Sequence, residues 1–135
     1  MLPTIDEDGI AGKTLHSRLI MISVDKSQRG VSEDFIFETI CHEMSHSLRW
    51  EKLPEYAETM FDGMILEGLA VALEEEAMIK LGRRNQQFFL REMQKTSQAE
   101  IDKIIAVLQD NFEDKAYDYT KIFFTGDDVL PRWAG

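Results

Sequence analysis

The order of hydrophobic and polar positions predicts a small β element followed mainly by helices. Apolar residues run without interruption through the centre of Leu15–Val24, which is typical of a strand, whereas the polar, glycine-containing residues 1–14 predict a loop. Asp25–Gly30 predicts a turn, and apolar positions then recur at helical spacing from Glu33 to Trp50. This order indicates an α+β fold that is mostly helical, with a small N-terminal β element.

A second helix is predicted after a charged loop, Glu51–Thr59, which contains Pro54. The stretch Met60–Leu73 is apolar nearly all round, which favours a helix that is buried against others and runs to about Leu81. Gly82 is a natural end for that helix.

The C-terminal half also has helical spacing. Asn85–Asp110 keeps apolar positions at helical intervals, and Ser97 with Glu100 forms a capping-box pattern that predicts the start of a second helix within it. The aromatic-rich Phe112–Phe124 predicts a short helix that leads into the turn Gly126–Asp128.

Composition narrows the class of protein and of partner. A chain of 135 residues, 44% hydrophobic, predicts one globular domain with a modest core. With 25 acidic and 15 basic residues and no basic stripe, we expect no nucleic-acid partner. A single cysteine excludes an internal disulfide and fits the reducing cytoplasm. No apolar run is long enough to span a membrane, so we expect no membrane partner.

The candidate chemistry lies in the first helix, in His42-Glu43-Met44-Ser45-His46. Residues at i and i+4 leave one face of a helix a turn apart, so both imidazoles can bind one metal ion. Glu43 lies beside that pair, where its carboxylate can take a proton from a metal-bound water. Glu67, an acid in an apolar helix, is costly to bury unless it is paired or bound to metal. Two His and one Glu with an open position form a catalytic zinc set rather than a structural one.

Less specific interpretations stay open for these residues. The histidines could be ordinary, partly exposed helix residues, and Glu67 could pair with a Lys or Arg at the helix margin. Gly68 favours close approach of another backbone. An apolar sector of the first helix is expected to face the core, which makes Cys41 a packed thiol rather than a nucleophile or ligand. That sector contains Ile36, Phe37, Ile40, Cys41, Met44 and Leu48.

The chain resembles the DUF2268 group of predicted zinc-dependent proteases in three segments that occur in the same order. These segments are HEMSH, LEGLA around Glu67, and Pro131-Arg132-Trp133-Ala134-Gly135. The resemblance covers about residues 10 to 135. It implies a single zincin-like metallopeptidase domain over residues 1–135, with a gluzincin ligand pattern in which His42, His46 and Glu67 hold one zinc ion and Glu43 is the catalytic base. Members of that group continue beyond this last segment, which implies a truncated or shortened C-terminus.

The surroundings of the metal differ from the thermolysin pattern. There, an Asp four residues after the ligand Glu orients a ligand histidine, and here Val71 occupies that position. Three other acids could accept a histidine N–H, although each also fits a solvated surface charge. These acids are Glu38, Asp62 and Glu74.

The group that would stabilise an oxyanion is not fixed by the sequence. His16 at the start of the predicted strand is more typical of a surface residue. Tyr117, Tyr119 and Arg132 are further candidates, but the aromatic cluster is more typical of a core.

These observations predict a zinc metallopeptidase that acts on a peptide or protein by a zinc-activated water. Two alternatives remain: a non-catalytic metal-binding or regulatory module that retains the zincin residues, and a hydrolase of a non-peptide bond. The ligand set suits zinc best, although Mn, Co or Ni could occupy it.

Overall fold

The computed structural model describes residues 9–52, 57–83, 95–118 and 121–131. It confirms an α+β fold that is mostly helical, with a two-stranded antiparallel sheet near the N-terminus. The elements in chain order are β1 (Ile10–His16), β2 (Leu19–Val24), α1 (Glu33–Lys52), α2 (Met60–Lys80), α3 (Gln98–Gln109) and a π-helical turn (Lys121–Thr125).

The N-terminal β element is a hairpin rather than a single strand. β1 pairs with β2 from Ile10 opposite Val24 to Thr14 opposite Ile20, with an irregularity before His16. The predicted loop is wrong for Ile10–Thr14, which belong to β1, whereas residues 1–8 lie outside the described chain. The predicted strand from Leu15 is confirmed for Leu19–Val24 and is interrupted by the hairpin turn before it. β1 was missed because its glycine, lysine and threonine interrupt the apolar pattern. Its strand conformation comes from pairing and from α1, which packs against both strands.

The described residues belong to two compact units. The first comprises Met1–Glu55 and Gly68–Phe88, and the second comprises Tyr56–Glu67 and Phe89–Gly135. The division therefore falls inside the uninterrupted helix α2. Within the described ranges, no helix is long and apolar enough to cross a bilayer.

The most buried residues of α1 are polar, and the prediction that its apolar sector faces the core is wrong for Met44 and Leu48. The other sector residues are partly buried: Ile36, Phe37, Ile40 and Cys41. The buried residues of α1 are Glu38, Glu43, Ser45 and Ser47, whereas Met44 and Leu48 are 44% and 53% exposed. Residues of this polar side form hydrogen bonds with neighbouring elements, as Glu43 does with Thr14 and Ser47 with His16, which offsets the cost of burying them.

Cys41 lies on α1 and is partly buried. Burial, and after it the negative charges of Glu74 and Glu38, raise the pKa of the Cys41 thiol. A thiol held in its protonated form is a poor nucleophile and a poor metal ligand.

Both ends of α2 have well-defined caps. At its start, Asp62 accepts hydrogen bonds from the Thr59 N–H (3.0 Å) and hydroxyl (2.9 Å), while the Thr59 hydroxyl oxygen accepts from the Asp62 N–H. At its end, Gly82 has φ +61°, and the Arg83 N–H donates to the Met78 carbonyl at 2.9 Å, as in a Schellman motif. The predicted end at Gly82 is confirmed.

One side of α2 is exposed, so the expectation of a helix buried all round is wrong for the described residues. Phe61, Ile65, Leu69 and Leu73 follow one another at i, i+4 and are each between 39% and 49% exposed. When a helix is apolar on several faces, its composition does not predict which of these faces is covered by neighbouring elements.

The second unit has its own core. α3 begins at Ser97 with the predicted capping box to Glu100, which is confirmed. The short helix expected within Phe112–Phe124 is a π-helical turn, closed by a hydrogen bond from the Gly126 N–H to the Lys121 carbonyl at 2.8 Å. The helix predicted in the first half of Asn85–Asp110 lies largely outside the described residues. The core consists of Met60, Leu108, Ile122, Phe123 and Leu130.

We predict opposite effects for Gly68→Ala and Gly63→Ala on α2. No atom lies within 4 Å of a Cβ at Gly68, so its expected close contact is absent and alanine should stabilise the helix by about 0.5–1 kcal/mol. A Cβ at Gly63 would lie 3.0 Å from the Tyr117 hydroxyl and 3.1 Å from the buried Phe123 ring, so alanine there should destabilise by about 1–3 kcal/mol. Urea denaturation measures both, and equal shifts of the same sign would contradict the packing described.

We predict that Asp127 titrates far below other aspartates. Its ion pair with Lys121, and after it the backbone N–H groups of Leu130 and Val129, lower its pKa to about 2. Because folding lowers the pKa of Asp127, the ionised carboxylate stabilises the folded protein at pH values above the ordinary pKa of an Asp. This contribution to the free energy of unfolding is lost as the pH falls toward about 2. Carboxyl NMR should give this midpoint, and Lys121→Met should move it upward. An ordinary midpoint in the unaltered protein would show that the ion pair does not form in solution.

Candidate metal centre

The two histidines of α1 meet through their Nε2 atoms. The Nε2 atoms of His42 and His46 are 3.3 Å apart, and their ring centroids are 5.1 Å apart. A zinc–nitrogen bond is about 2.0–2.1 Å long. Two nitrogen ligands of one tetrahedral zinc ion therefore lie roughly 3.3–3.4 Å from each other. The helix therefore holds both atoms at the spacing that a shared tetrahedral ion requires.

A buried carboxylate orients His42. The Nδ1 atom of His42 lies 3.1 Å from Oε2 of Glu74, which is 5% exposed. An ionised carboxylate only accepts hydrogen bonds, so the ring proton is on Nδ1 and the lone pair on Nε2 is available to a metal. Glu74 is thus no solvated surface charge. Glu74 lies two turns beyond Glu67 on α2 and one turn beyond Val71, and its carboxylate contacts the His42 ring from there.

The other two candidate acids have different surroundings. Glu38 is completely buried on α1, so it too is no surface charge. Asp62 caps α2 with Thr59, and the hydrogen bonds from Thr59 lower the pKa of the Asp62 carboxyl. Its carboxylate is therefore used at the start of the helix.

His46 has a cation beside it. Nη2 of Arg49 lies 3.1 Å from Nδ1 of His46, and the guanidinium also donates to Ser45. A guanidinium can only donate, so this contact favours the tautomer of His46 whose Nδ1 accepts. The positive charge of Arg49 also disfavours a second cation beside His46.

Glu67 completes the group of donors. One nitrogen from each of His42 and His46 and one carboxylate oxygen of Glu67 all lie within 4.8 Å of one another. In the part of the chain that the structure describes, no other group of three such residues comes together. Two imidazole nitrogens and one carboxylate oxygen form a donor set that fits zinc.

Glu43 lies on the side of α1 that faces the hairpin and is 8% exposed. Its Oε2 accepts a hydrogen bond from the Thr14 hydroxyl at 2.7 Å. Gly12, two residues earlier on β1, lies directly against the Glu43 side chain. Neither contact was predicted from the sequence, because this segment was expected to be a loop.

The residues considered as stabilisers of an oxyanion lie in separate parts of the structure. His16 Nδ1 accepts from the Arg18 N–H at 3.2 Å within the hairpin turn. The Tyr117 hydroxyl lies against Gly63, one turn before Glu67 on α2; burial first, then Asp62 and Glu67, raise the pKa of Tyr117. Tyr119 and Arg132 lie outside the described residues.

We predict that Glu74→Ala weakens zinc binding roughly 10–100-fold, because His42 loses the acceptor that fixes its tautomer and ring orientation. Competition with a coloured chelator measures the affinity. Glu75→Ala is the matched control, since Glu75 is its exposed neighbour on the same helix. Equal affinity in the two variants would show that the Glu74 contact does not prepare His42 for a metal.

Comparison with protein families matches residues 3–135 to a family model described as "Predicted Zn-dependent protease (DUF2268)". Comparisons with curated proteins and with solved structures give no match.

Proposed function

The chain belongs to the DUF2268 family of predicted Zn-dependent proteases, and from this premise we propose that it hydrolyses peptide bonds as a zinc metallopeptidase. The observation that carries the proposal is the convergence of donor atoms from His42, His46 and Glu67 within 4.8 Å, on a helix that also carries the buried Glu43. We propose that these three residues hold one zinc ion per chain. When bound, zinc supplies positive charge that makes a water more acidic and polarises a carbonyl group.

We propose Glu43 as the general base. Its carboxylate takes one proton from the attacking water, whose oxygen forms the new bond to the carbonyl carbon. Glu43 then delivers that proton to the amine nitrogen as the C–N bond breaks. The burial of Glu43 and its hydrogen bond from Thr14 support this role, because both limit the positions that the carboxylate can adopt.

The proposed substrate is a peptide or protein segment in extended form. Among the residues that the structure describes, β1 and β2 pair with each other in a sheet of two strands, so each has an edge there at which a peptide could add by backbone hydrogen bonds. The formal charge of −10 supports a partner other than nucleic acid. The single cysteine supports a reducing compartment, and we propose the cytoplasm.

The test combines zinc content with peptide cleavage. We expect about one zinc per chain by mass spectrometry, and its loss in His46→Ala and in Glu67→Ala. Glu43→Gln should keep the zinc while its cleavage of a peptide library falls on the order of 10²–10⁴-fold.

Two results would contradict the proposal. If Glu43→Gln cleaves as fast as the unaltered protein, Glu43 is not the base. If the zinc-loaded protein cleaves nothing, the non-catalytic metal-binding module becomes the better description, because zinc is then bound without turnover.

A further inference from the structure

We propose that Thr14 and Gly12 of β1 are positioning residues that hold the carboxylate of Glu43 in place for the hydrolysis. This inference rests on the proposed function, because it assigns the two residues a role in the work of its general base. Neither residue is proposed to touch the substrate or the metal.

The hairpin and α1 are arranged so that one face of β1 meets one face of α1. Gly12 and Thr14 are two residues apart and therefore point to the same side of the strand. Both contact Glu43. One turn further along α1, the Ser47 hydroxyl donates to the carbonyl of His16, two residues further along β1, at 3.4 Å. The contact is thus repeated along both elements.

Thr14 ties the Glu43 side chain to its own backbone. The Thr14 hydroxyl oxygen is 2.7 Å from Oε2 of Glu43 and 2.8 Å from the Glu43 carbonyl oxygen. One hydroxyl proton serves two acceptors of the same residue, so the hydroxyl fixes the carboxylate relative to the helix backbone. Threonine is β-branched, and its restricted χ1 rotation keeps the hydroxyl in this position.

Gly12 provides the space that the carboxylate occupies. A Cβ built at Gly12 would lie 2.5 Å from Oε1 and 2.6 Å from Cγ of Glu43. The positive-φ glycines of the described chain are Gly9, Gly82 and Gly126, so the backbone at Gly12 does not require glycine. The requirement at this position is for room beside Glu43, and any larger residue must displace that side chain.

A structural role alone would also use these contacts, since a buried carboxylate needs hydrogen bonds. The two roles differ in what a substitution changes. Because a flexible side chain can move away from a new methyl group, Gly12→Ala should leave the protein folded while it displaces the carboxylate. A loss of turnover without loss of folding or of zinc therefore identifies positioning.

The experiment compares kcat, KM and zinc content in Thr14→Val, Thr14→Ser and Gly12→Ala. We expect kcat to fall about tenfold in Thr14→Val and on the order of 100-fold in Gly12→Ala, with KM and zinc content little changed. Thr14→Ser should recover most of the loss, because it restores the hydroxyl. The matched controls are Thr39→Val, whose hydroxyl bonds to the Phe35 carbonyl within α1, and Gly68→Ala, where the added methyl meets open space.

A second measurement does not depend on activity. Thr14→Val should lower the urea midpoint of the zinc-free protein more in the unaltered background than in Glu43→Ala, because only the former retains the carboxylate contact. Equal shifts in both backgrounds would overturn the proposed contact.

The outcomes separate this inference from the proposed function. If the protein cleaves peptides and neither Thr14→Val nor Gly12→Ala lowers kcat, the positioning role is overturned and the peptidase function stands. If the zinc-loaded protein shows no cleavage, the proposed function fails and the positioning role fails with it, whatever the urea measurement gives.

Discussion

The need of buried polar groups for partners determines how α1 sits among its neighbours. The buried residues of this helix are two acids and two serines, so each of them needs a complementary group. Glu43 meets the Thr14 hydroxyl, Ser47 meets the carbonyl of His16, and the His42 ring meets Glu74 of α2. The hairpin and α2 are therefore held by directional hydrogen bonds, which fix side chains more tightly than apolar contacts of the same area would.

The same interactions give the histidine pair an asymmetric environment. His42 has the carboxylate of Glu74 beside it, and His46 has the guanidinium of Arg49 beside it. A carboxylate favours a cation near these rings, and a guanidinium disfavours one. The charges around the histidine pair therefore act in opposite directions on a cation placed between the two rings.

Features that depend on the spacing of nearby residues could be predicted from the sequence. The i, i+4 histidines, the Ser97 capping box and the end of α2 at Gly82 follow from residues within a turn or two of one another. β1 and the buried face of α1 could not be predicted, because both depend on distant partners. Glu74 is the intermediate case. It could be named as a candidate from its place in an apolar helix, but only the tertiary structure distinguishes it from Glu38 and Asp62.

The division of α2 between two compact units has a consequence for dissecting the protein. The boundary falls between Glu67 and Gly68, inside one continuous helix. Helix formation is cooperative, and isolated helices shorter than about 12–15 residues are marginal in water. A cut at the boundary would leave about two turns of α2, Met60–Glu67, on one fragment and Gly68–Lys80 on the other. The boundary between the two units is therefore a poor place at which to divide the chain.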